Sequence, residues 1–356
     1  MKKILHIIQR QKFTNGYIQF MESQYTQYEH YFITNKGEFE INKSSNLYEV
    51  DTFNDIYINK DYLQFLRLAD KIIISGVWIP IKLLLVLIRK KFIGKTFFHF
   101  WGGDFYCFKD SLKTNKNKLR EFIIFNAFKK CSGLIFLIDG EYEIFRNITH
   151  VTNNHFIAAM PDDPKMIIDY SQYRNRNKNQ DGKKNILIGN SATPSNCHAE
   201  VFKLLEHFSL DNINIFCPLS YGDNDYKIKI IKEGKEKFGE AFQPIEEYMD
   251  RNDYLMFLSE MDIGIFYNDR QQATGNIVSL FAFGKKVFLR PGTSMWSDFI
   301  NHGYNLYNAN EIGKMSISEF FEVNQDAMQE NIRIREKEYA EFFTSTRDSW
   351  NKIFEL

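Results

Sequence analysis

Short apolar runs alternate with longer stretches of helical periodicity along most of this 356-residue chain, and this alternation constrains its fold most. The apolar runs lie at 4–8, 72–74, 96–100 and 133–138 in the first half, and at 186–189, 213–216, 262–266 and 286–289 in the second. The helical stretches include 56–70, 117–130, 195–207, 247–260 and 274–283. Strands separated by helices predict parallel sheets with crossover helices.

A polar stretch divides the chain into two parts. Residues 170–184 contain almost no apolar side chain and follow the turn-forming PDDP at 161–164, as expected of a linker. The length is also typical of two domains. We therefore predict an α/β protein with a Rossmann-like domain at 1–165, a linker at 166–184, a second Rossmann-like domain at 185–324 and a C-terminal helical segment at 325–356.

The composition excludes several functions. Lys plus Arg and Asp plus Glu both number 45, which disfavours a nucleic-acid-binding protein, since such proteins are normally basic. The four cysteines are scattered without a C-x-x-C pair or a histidine at metal spacing. This argues against a disulfide scaffold and a zinc site and favours a cytoplasmic protein.

The longest apolar stretch, residues 72–88, contains Gly76, Pro80 and Lys82. It is shorter than the roughly 20 residues of a membrane-spanning helix, so the sequence predicts no transmembrane anchor. Basic residues from Arg89 to Lys95 follow its apolar helix. The 78–95 region can therefore contact anionic lipid, or it can be an ordinary helix whose solvated end carries cations.

The segment FFHFWGGDFY at 97–106 places two glycines and an acid directly after a predicted strand. Ligands of open α/β sheets bind outside the carboxyl ends of strands. Asp104 is therefore a candidate catalytic base or sugar-binding carboxylate, with Trp101, Gly102 and Gly103 as acceptor-binding candidates. The alternative is a simple turn in which Asp104 caps the next helix.

Two further strand ends carry small polar residues. In NILIGNSATPSN, Asn190 and Ser191 precede a helix start, which is either a turn or an anion-binding site. PLSYGDNDY contains Asp223 and Asp225 as a D-x-D pair, in a setting that favours turn chemistry over a metal site.

The run RQQATGN at 270–276 lies between a predicted strand and an apolar helix. Arg270 supplies a fork of hydrogen-bond donors for phosphate, and the helix start near Gly275 has unpaired N–H groups. Together they can stabilise a leaving diphosphate. The alternative is a surface ion pair beside a helix cap.

WGGDFY, ILIGNSATPSNCH, PLSYGD and RQQATGNIVSLFAFGKKVFL together resemble the bacterial Fuc4NAc transferase family, glycosyltransferase family 56, over roughly residues 95–300. The resemblance implies a GT-B fold with two parallel-sheet domains facing across a cleft and a C-terminal helix that can return to the first domain. It implies transfer of 4-acetamido-4,6-dideoxygalactose, or a related deoxy-amino sugar, from a dTDP- or UDP-sugar. The implied acceptor is a polyprenyl-diphosphate-linked or other glycan in surface polysaccharide synthesis, reached at the cytoplasmic face of the membrane. No cofactor and no metal are expected.

Carried over to this chain, the family's motifs imply a donor site in the second domain. Its residues are Asn190, Ser191, Ser220, Tyr221, Gly222, Arg270, Gln271 and Gln272. Gly275 and Asn276, at the predicted helix start after Arg270, are further donor-site candidates from the residue pattern itself. Ala192–Thr193 and Ala273–Thr274 depart from the family pattern, which leaves the sugar and the base of the donor open. Asp104 and Arg270 are the catalytic candidates, and in a retaining enzyme Asp104 orients the acceptor instead of acting as a base. A GT-B-fold epimerase and a non-catalytic sugar-nucleotide-binding protein are the alternative functions.

Overall fold

The computed structural model describes residues 1–37, 39–42, 44, 46–76, 79–111, 118–160, 168–174, 182–209 and 211–356. The chain forms two compact units. Unit 1 comprises Met1–Ile167 with Glu341–Leu356, and unit 2 comprises Ile168–Ala340. The PDDP turn and residues 175–181 of the predicted linker lie outside the described residues.

Unit 1 is built on a parallel sheet with seven strands among the described residues, in the order β3-β2-β1-β4-β5-β6-β7. The strands are β1 Lys2–Ile8, β2 Tyr28–Asn35, β3 Leu47–Val50, β4 Lys71–Ser75, β5 Thr96–His99, β6 Gly133–Phe136 and β7 His155–Ile157. Its helices are α1 Thr14–Gln24, α2 Asp55–Ile58, α3 Lys60–Leu68, α4 Ile81–Arg89, α5 Cys107–Ser111, α6 Lys118–Lys130 and α7 Glu141–Thr149.

Both faces of this sheet are covered, as a parallel sheet requires. Along β1, Leu5 and Ile7 belong to one buried cluster with residues of α4 and α6, whereas Ile4 and Ile8 belong to a second cluster. The second cluster also contains Trp350 from the end of the chain. Its Nε1 donates to the Ala159 carbonyl at 3.2 Å, which fixes the last turns of the chain to unit 1.

Unit 2 contains a second parallel sheet, with six described strands in the order β10-β9-β8-β11-β12-β13. The strands are β8 Lys184–Ile188, β9 Ile213–Pro218, β10 Phe242–Ile245, β11 Ile263–Phe266, β12 Lys286–Leu289 and β13 Tyr307–Asn308. The helices are α8 Ser171–Arg174, α9 His198–Leu205, α10 Asn224–Phe238, α11 Arg251–Ser259, α12 Thr274–Ala282, α13 Ser294–Asn301, α14 Ile317–Phe321 and α15 Gln325–Glu355. Residues up to Ala340 of α15 belong to unit 2, and the rest of that helix belongs to unit 1.

The predicted architecture of two parallel-sheet α/β domains is confirmed. In each sheet the chain first extends to one side of its initial strand and then crosses to the other, between β1 and β4 in unit 1 and between β8 and β11 in unit 2. Such a reversal opens a crevice at the carboxyl ends of the strands, where ligands bind. Within the described part of the chain, no helix is both long and apolar enough to cross a bilayer.

Candidate functional site

The loop after β8 begins with a glycine for a steric reason. Gly189 has a φ of +66°, and a Cβ there would lie 2.8 Å from both Asn196 Oδ1 and His198 Nε2. A side chain at this position would therefore push the loop away from the underlying polar groups. Burial lowers the pKa of His198 to about 4, so its imidazole is neutral at physiological pH.

Asn196 holds this loop from within. It is fully buried, and its Nδ2 donates to the Ser191 carbonyl at 2.8 Å and to Thr193 Oγ1 at 2.9 Å. Its Oδ1 accepts from the Asn190 amide at 3.2 Å and from Asn268 Nδ2 at 3.0 Å. One amide side chain thus fixes the loop after β8 and joins it to the residues that follow β11.

Gln272 makes the second connection between these two loops. Its Nε2 lies within donating distance of Asn190 Oδ1 at 2.8 Å, Thr193 Oγ1 at 3.0 Å and Ser191 Oγ at 3.1 Å. Its Oε1 accepts from Ser195 Oγ at 2.6 Å. Both ends of the Gln272 amide are therefore engaged by the protein in this structure, and they hold the two loops together.

The loop after β9 joins the same assembly through its backbone. Ala192 N donates to the Tyr221 carbonyl at 2.8 Å, and Asn190 Nδ2 donates to the Tyr221 hydroxyl at 2.9 Å. Gly222 has a φ of +122°, and a Cβ there would lie 2.5 Å from the Ala192 carbonyl oxygen. Ser220 precedes Tyr221 and is half-buried, while Tyr221 is 49% exposed.

The D-x-D pair starts a helix. The Asp223 carboxylate accepts from the Tyr226 amide at 2.7 Å as the N-cap of α10, and Asp225 lies in the first turn. Acids at these positions stabilise a helix N-terminus. No group of three metal-ligating side chains occurs among the residues that the structure describes.

The start of α12 lies beside Arg270. Ala273 precedes the helix in the left-handed region, with a φ of +63° and no side-chain cap. Gln271 is buried and donates to Thr274 Oγ1 at 2.9 Å, whereas Arg270 is half-buried and donates to the Gln271 carbonyl at 3.3 Å. Gly275 is exposed, and nothing lies within 4 Å of where its Cβ would be. This helix start therefore offers backbone N–H groups and a partial positive charge to an anion.

The remaining predicted residue of this group, Asn276, points to a neighbouring helix. Its Nδ2 donates to the Tyr254 hydroxyl at 2.8 Å. Like Gln271 and Gln272, Asn276 already has a protein partner for its amide. The predicted donor-site side chains also include one cation, Arg270, and one half-exposed aromatic side chain, Tyr221.

In unit 1, the WGGDFY loop follows β5. Asp104 is buried, and its Oδ2 accepts from the Trp101 amide at 3.0 Å, which closes the turn through Gly102 and Gly103. Gly102 adopts a φ of +90°, and Gly103 is half-buried. The Trp101 ring packs edge-on against Phe13 at 4.8 Å between centroids. The carboxylate thus bonds back to the turn that precedes it, and does not cap the following helix through this contact.

Sequence reasoning missed Asn196, Thr193, Ser195 and Asn268, which shape the loops after β8 and β11. A usable signal was the second polar group, Ser195–Asn196, which separates the first polar turn from α9. Buried polar side chains need hydrogen-bond partners, and each of these four bonds at least one of the others or a neighbouring residue.

Three strand ends of unit 2 thus converge on one assembly of amides, hydroxyls, a guanidinium and an uncapped helix start. Neutral donors and one cation suit the binding of a phosphate-bearing ligand.

Known structures share this architecture. Sucrose-phosphate synthase from Thermosynechococcus elongatus aligns with a TM-score of 0.73 at 9% identity, covering 100% of this chain and 98% of that chain. The UDP-forming trehalose-phosphate synthase from Burkholderia xenovorans aligns with a TM-score of 0.70 at 10% identity, covering 100% and 99%. An Escherichia coli structure described as trehalose-6-phosphate bound with UDP-2-fluoro glucose aligns with a TM-score of 0.65 at 12% identity, covering 97% and 99%. At these identities the likeness shows the GT-B fold.

The family comparison is more specific. The model of the family described as 4-alpha-L-fucosyltransferase, glycosyl transferase group 56, matches residues 10–355, nearly the whole chain. Membership implies a nucleotide-sugar donor and a glycan acceptor. The chain belongs to glycosyltransferase group 56 and is a glycosyltransferase of the GT-B fold.

Proposed function

We propose that this enzyme transfers Fuc4NAc or a related deoxy-amino sugar from a dTDP- or UDP-sugar to a polyprenyl-diphosphate-linked glycan in surface polysaccharide synthesis. The observation that carries the proposal is the joining of the loops after β8, β9 and β11 around Asn190, beside Arg270 and the start of α12. The family's description as a fucosyltransferase supports a deoxy-hexose as the transferred sugar.

In this proposal the diphosphate binds at the start of α12. Arg270 and the first N–H groups of the helix stabilise the negative charge that develops on the leaving nucleoside diphosphate. In the loop after β8, Asn190 donates to the diphosphate or ribose through its side chain and Ser191 through its backbone N–H, because the Ser191 hydroxyl is engaged by Thr193, Asn196 and Gln272. The Tyr221 ring contacts the nucleoside. Gln271, Gln272 and Asn276 act by holding these loops and the helix start in position.

The acceptor is proposed to bind unit 1 at Trp101, Gly102 and Gly103. Asp104 is the proposed base, which would accept the proton of the acceptor hydroxyl as the new glycosidic bond forms. Its bond from the Trp101 amide orients one carboxylate oxygen. In a retaining reaction Asp104 would instead orient the acceptor. We place the reaction at the cytoplasmic face of the membrane, with bilayer contact in the 78–95 region, of which Trp78 lies outside the described residues.

The test has two stages. First, thermal shifts are measured with dTDP, UDP and GDP and with their deoxy-amino sugar conjugates. The best donor is then incubated with a polyprenyl-diphosphate-linked acceptor, and the lipid product and the released nucleotide are quantified. We expect a dTDP- or UDP-sugar to stabilise the protein and sugar to reach the lipid fraction. Stabilisation by GDP-sugars alone, or nucleotide release without a lipid-linked product, would contradict the proposal.

An Asp104→Asn variant then tests the base. It keeps an oxygen acceptor for the Trp101 amide but cannot accept a proton at neutral pH. We expect a large loss of kcat with donor affinity unchanged, because the donor binds in unit 2. Unchanged kcat would remove Asp104 from the chemistry.

A further inference from the structure

The helices α4 and α6 lie side by side on one face of the unit 1 sheet. Leu83, Leu84 and Leu87 of α4 share a buried cluster with Ala127 and Phe128 of α6. Both helices lie entirely within the described residues. Their outward faces are therefore neighbouring parts of one surface.

This surface exposes large apolar side chains. Leu119 is 73% exposed and Phe122, one turn further along α6, is 68% exposed. Leu85 on α4 is 38% exposed and adds to them. Adjacent exposed leucine and phenylalanine side chains are costly in water and indicate an interaction site.

The exposed charges on these two helices have one sign. Lys82 and Lys118, in the first turns of α4 and α6, are exposed. Residues 71–103 contain six Lys or Arg and no Asp or Glu. The single acid of α6, Glu121, is buried. The exposed charges on both helices are therefore all positive, which is complementary to an anionic surface.

The apolar side chains also lie at a particular end of the unit. α6 is a crossover helix between the parallel strands β5 and β6, so it runs opposite to them and begins near their carboxyl ends. Leu119 and Phe122 therefore lie towards the carboxyl ends of the strands, where Trp101–Asp104 also lie. Lys90 and Lys91, which follow the end of α4, lie towards the amino ends of the strands.

We propose that Lys82, Leu85, Lys118, Leu119 and Phe122 form an amphipathic patch that docks on an anionic lipid bilayer, with Leu119 and Phe122 inserted among the headgroups. Apolar side chains ringed by cations bind such interfaces by combining apolar burial with attraction to anionic lipid. The inference deepens the proposed function, because it names the surface that would bring unit 1 to a lipid-linked acceptor. It also moves the predicted contact from the basic residues after α4 to the first turns of α4 and α6.

The test is co-sedimentation with phosphatidylcholine vesicles, with and without phosphatidylglycerol, at low and high salt. We expect binding only to the anionic vesicles, weakened by salt. Leu119→Ser with Phe122→Ser should lower vesicle partitioning by about tenfold or more. The matched control is Ile228→Ser with Ile300→Ser, which removes exposed apolar side chains of α10 and α13 in unit 2.

A second pair of variants tests the location of the charge. The first pair is Lys82→Glu with Lys118→Glu, which places acids in the first turns of α4 and α6, where helices tolerate them well. It should reduce vesicle binding more than the second pair, Lys90→Glu with Lys91→Glu. Both pairs change the net charge equally. The proposal would be overturned if the wild-type protein never binds anionic vesicles, or if the Leu119→Ser, Phe122→Ser variant binds them as well as the wild type. A larger effect of the 90–91 pair than of the 82/118 pair would also overturn it. No substrate is present, so this outcome is independent of the transfer assay.

Discussion

The two units bury polar side chains of different kinds. In unit 1, His6 Nδ1 lies 2.8 Å from the Tyr17 hydroxyl and His6 Nε2 lies 2.9 Å from His30 Nδ1, while His99 Nδ1 lies 3.2 Å from Ser75 Oγ. In unit 2, the site is held by Asn196, Gln272 and their hydroxyl and amide partners. The three buried histidines of unit 1 can therefore change their charge with pH, whereas the amides and hydroxyls that hold the loops of the proposed donor site cannot. Unit 2 adds one buried histidine, His198, beneath the loop after β8.

This difference indicates what each network is suited to. Amides and hydroxyls keep their donors and acceptors over a wide pH range, so they can hold loops in a fixed shape around a charged ligand. Buried histidines give stability only while they remain neutral. Substitution of Arg270, Asn196 and His99 in turn tests the charge of the proposed donor site, the shape of its loops and the titration of a buried histidine.

The largest effect is expected from removing Arg270, the cation beside the start of α12. Arg270→Ala should lower kcat by roughly 100- to 1000-fold, the usual loss when a transition-state charge stabiliser is removed. Steady-state kinetics with the donor found by thermal shift measures it. Arg333→Ala is the control, because Arg333 is exposed and pairs with Glu330 on α15. Near-normal turnover of Arg270→Ala would exclude this residue from the site.

Removing Asn196, the centre of the amide network, should have a smaller effect than removing Arg270. It changes the shape of the loops and not the charge of the site. Asn196→Ala leaves the Asn190 amide and Asn268 Nδ2 without their acceptor. We expect a loss of about 1–3 kcal/mol in the free energy of unfolding, with weaker nucleotide binding. Urea unfolding and titration calorimetry measure the two effects, with Asn301→Ala, an exposed residue at the end of α13, as the control. Normal stability and nucleotide affinity would show that the loops hold their shape without Asn196.

The buried histidines, three in unit 1 and His198 in unit 2, predict a pH dependence of stability. Burial lowers the pKa of His99 to about 3, that of His30 to about 4 and that of His6 well below its usual value. Because these pKa values are lower in the folded state, the unfolded chain binds more protons once the pH falls below 6.5. Stability is therefore complete above pH 6.5 and should fall by up to about 1.4 kcal/mol per histidine for each pH unit below it.

Urea unfolding at pH 7 and at pH 5.5 tests this slope. His99→Asn retains a hydrogen-bonding partner for Ser75 but does not titrate in this range. We expect it to reduce the acid-induced loss of stability by the share of one histidine. An equal loss in the variant and the wild type would mean that the acid sensitivity arises elsewhere.

The smallest effect is expected from chelation. EDTA should leave transfer activity unchanged, because Arg270 and the start of α12 are proposed to meet the charge of the diphosphate without a metal. Activity is measured with and without EDTA and then with added Mg²⁺ or Mn²⁺. Loss on chelation with recovery on adding metal would show that the site needs a cation beyond Arg270.

The central strands could be predicted from sequence because both of their faces are buried. β4 and β11 appear as uninterrupted apolar runs for that reason. β2 was missed because its sequence, YEHYFITN, includes His30 and Thr34, which are polar yet buried. α10 was missed because Gly222 and the D-x-D pair give its start the appearance of a longer loop.

For the candidate site, the sequence predicted the location of the loops but not the contacts of each side chain. Turn residues after strands indicated where Asn190, Tyr221 and Arg270 would lie, because parallel strands bring their carboxyl ends to one edge. The roles of Gln272 and Asn196 could not be predicted in this way. Whether an amide faces a ligand or a neighbouring loop depends on contacts between residues 72 to 82 positions apart.

The division of α15 between the units affects the order in which the protein can fold during synthesis. Trp350, Ile353 and Phe354 are fully buried in the core of unit 1, beside side chains that are translated at the beginning of the chain. The nascent unit 1 must therefore wait, with one face of its sheet incompletely covered, while all of unit 2 leaves the ribosome. The domain that is made first is completed last, and a premature stop in α15 would leave its apolar face open to aggregation.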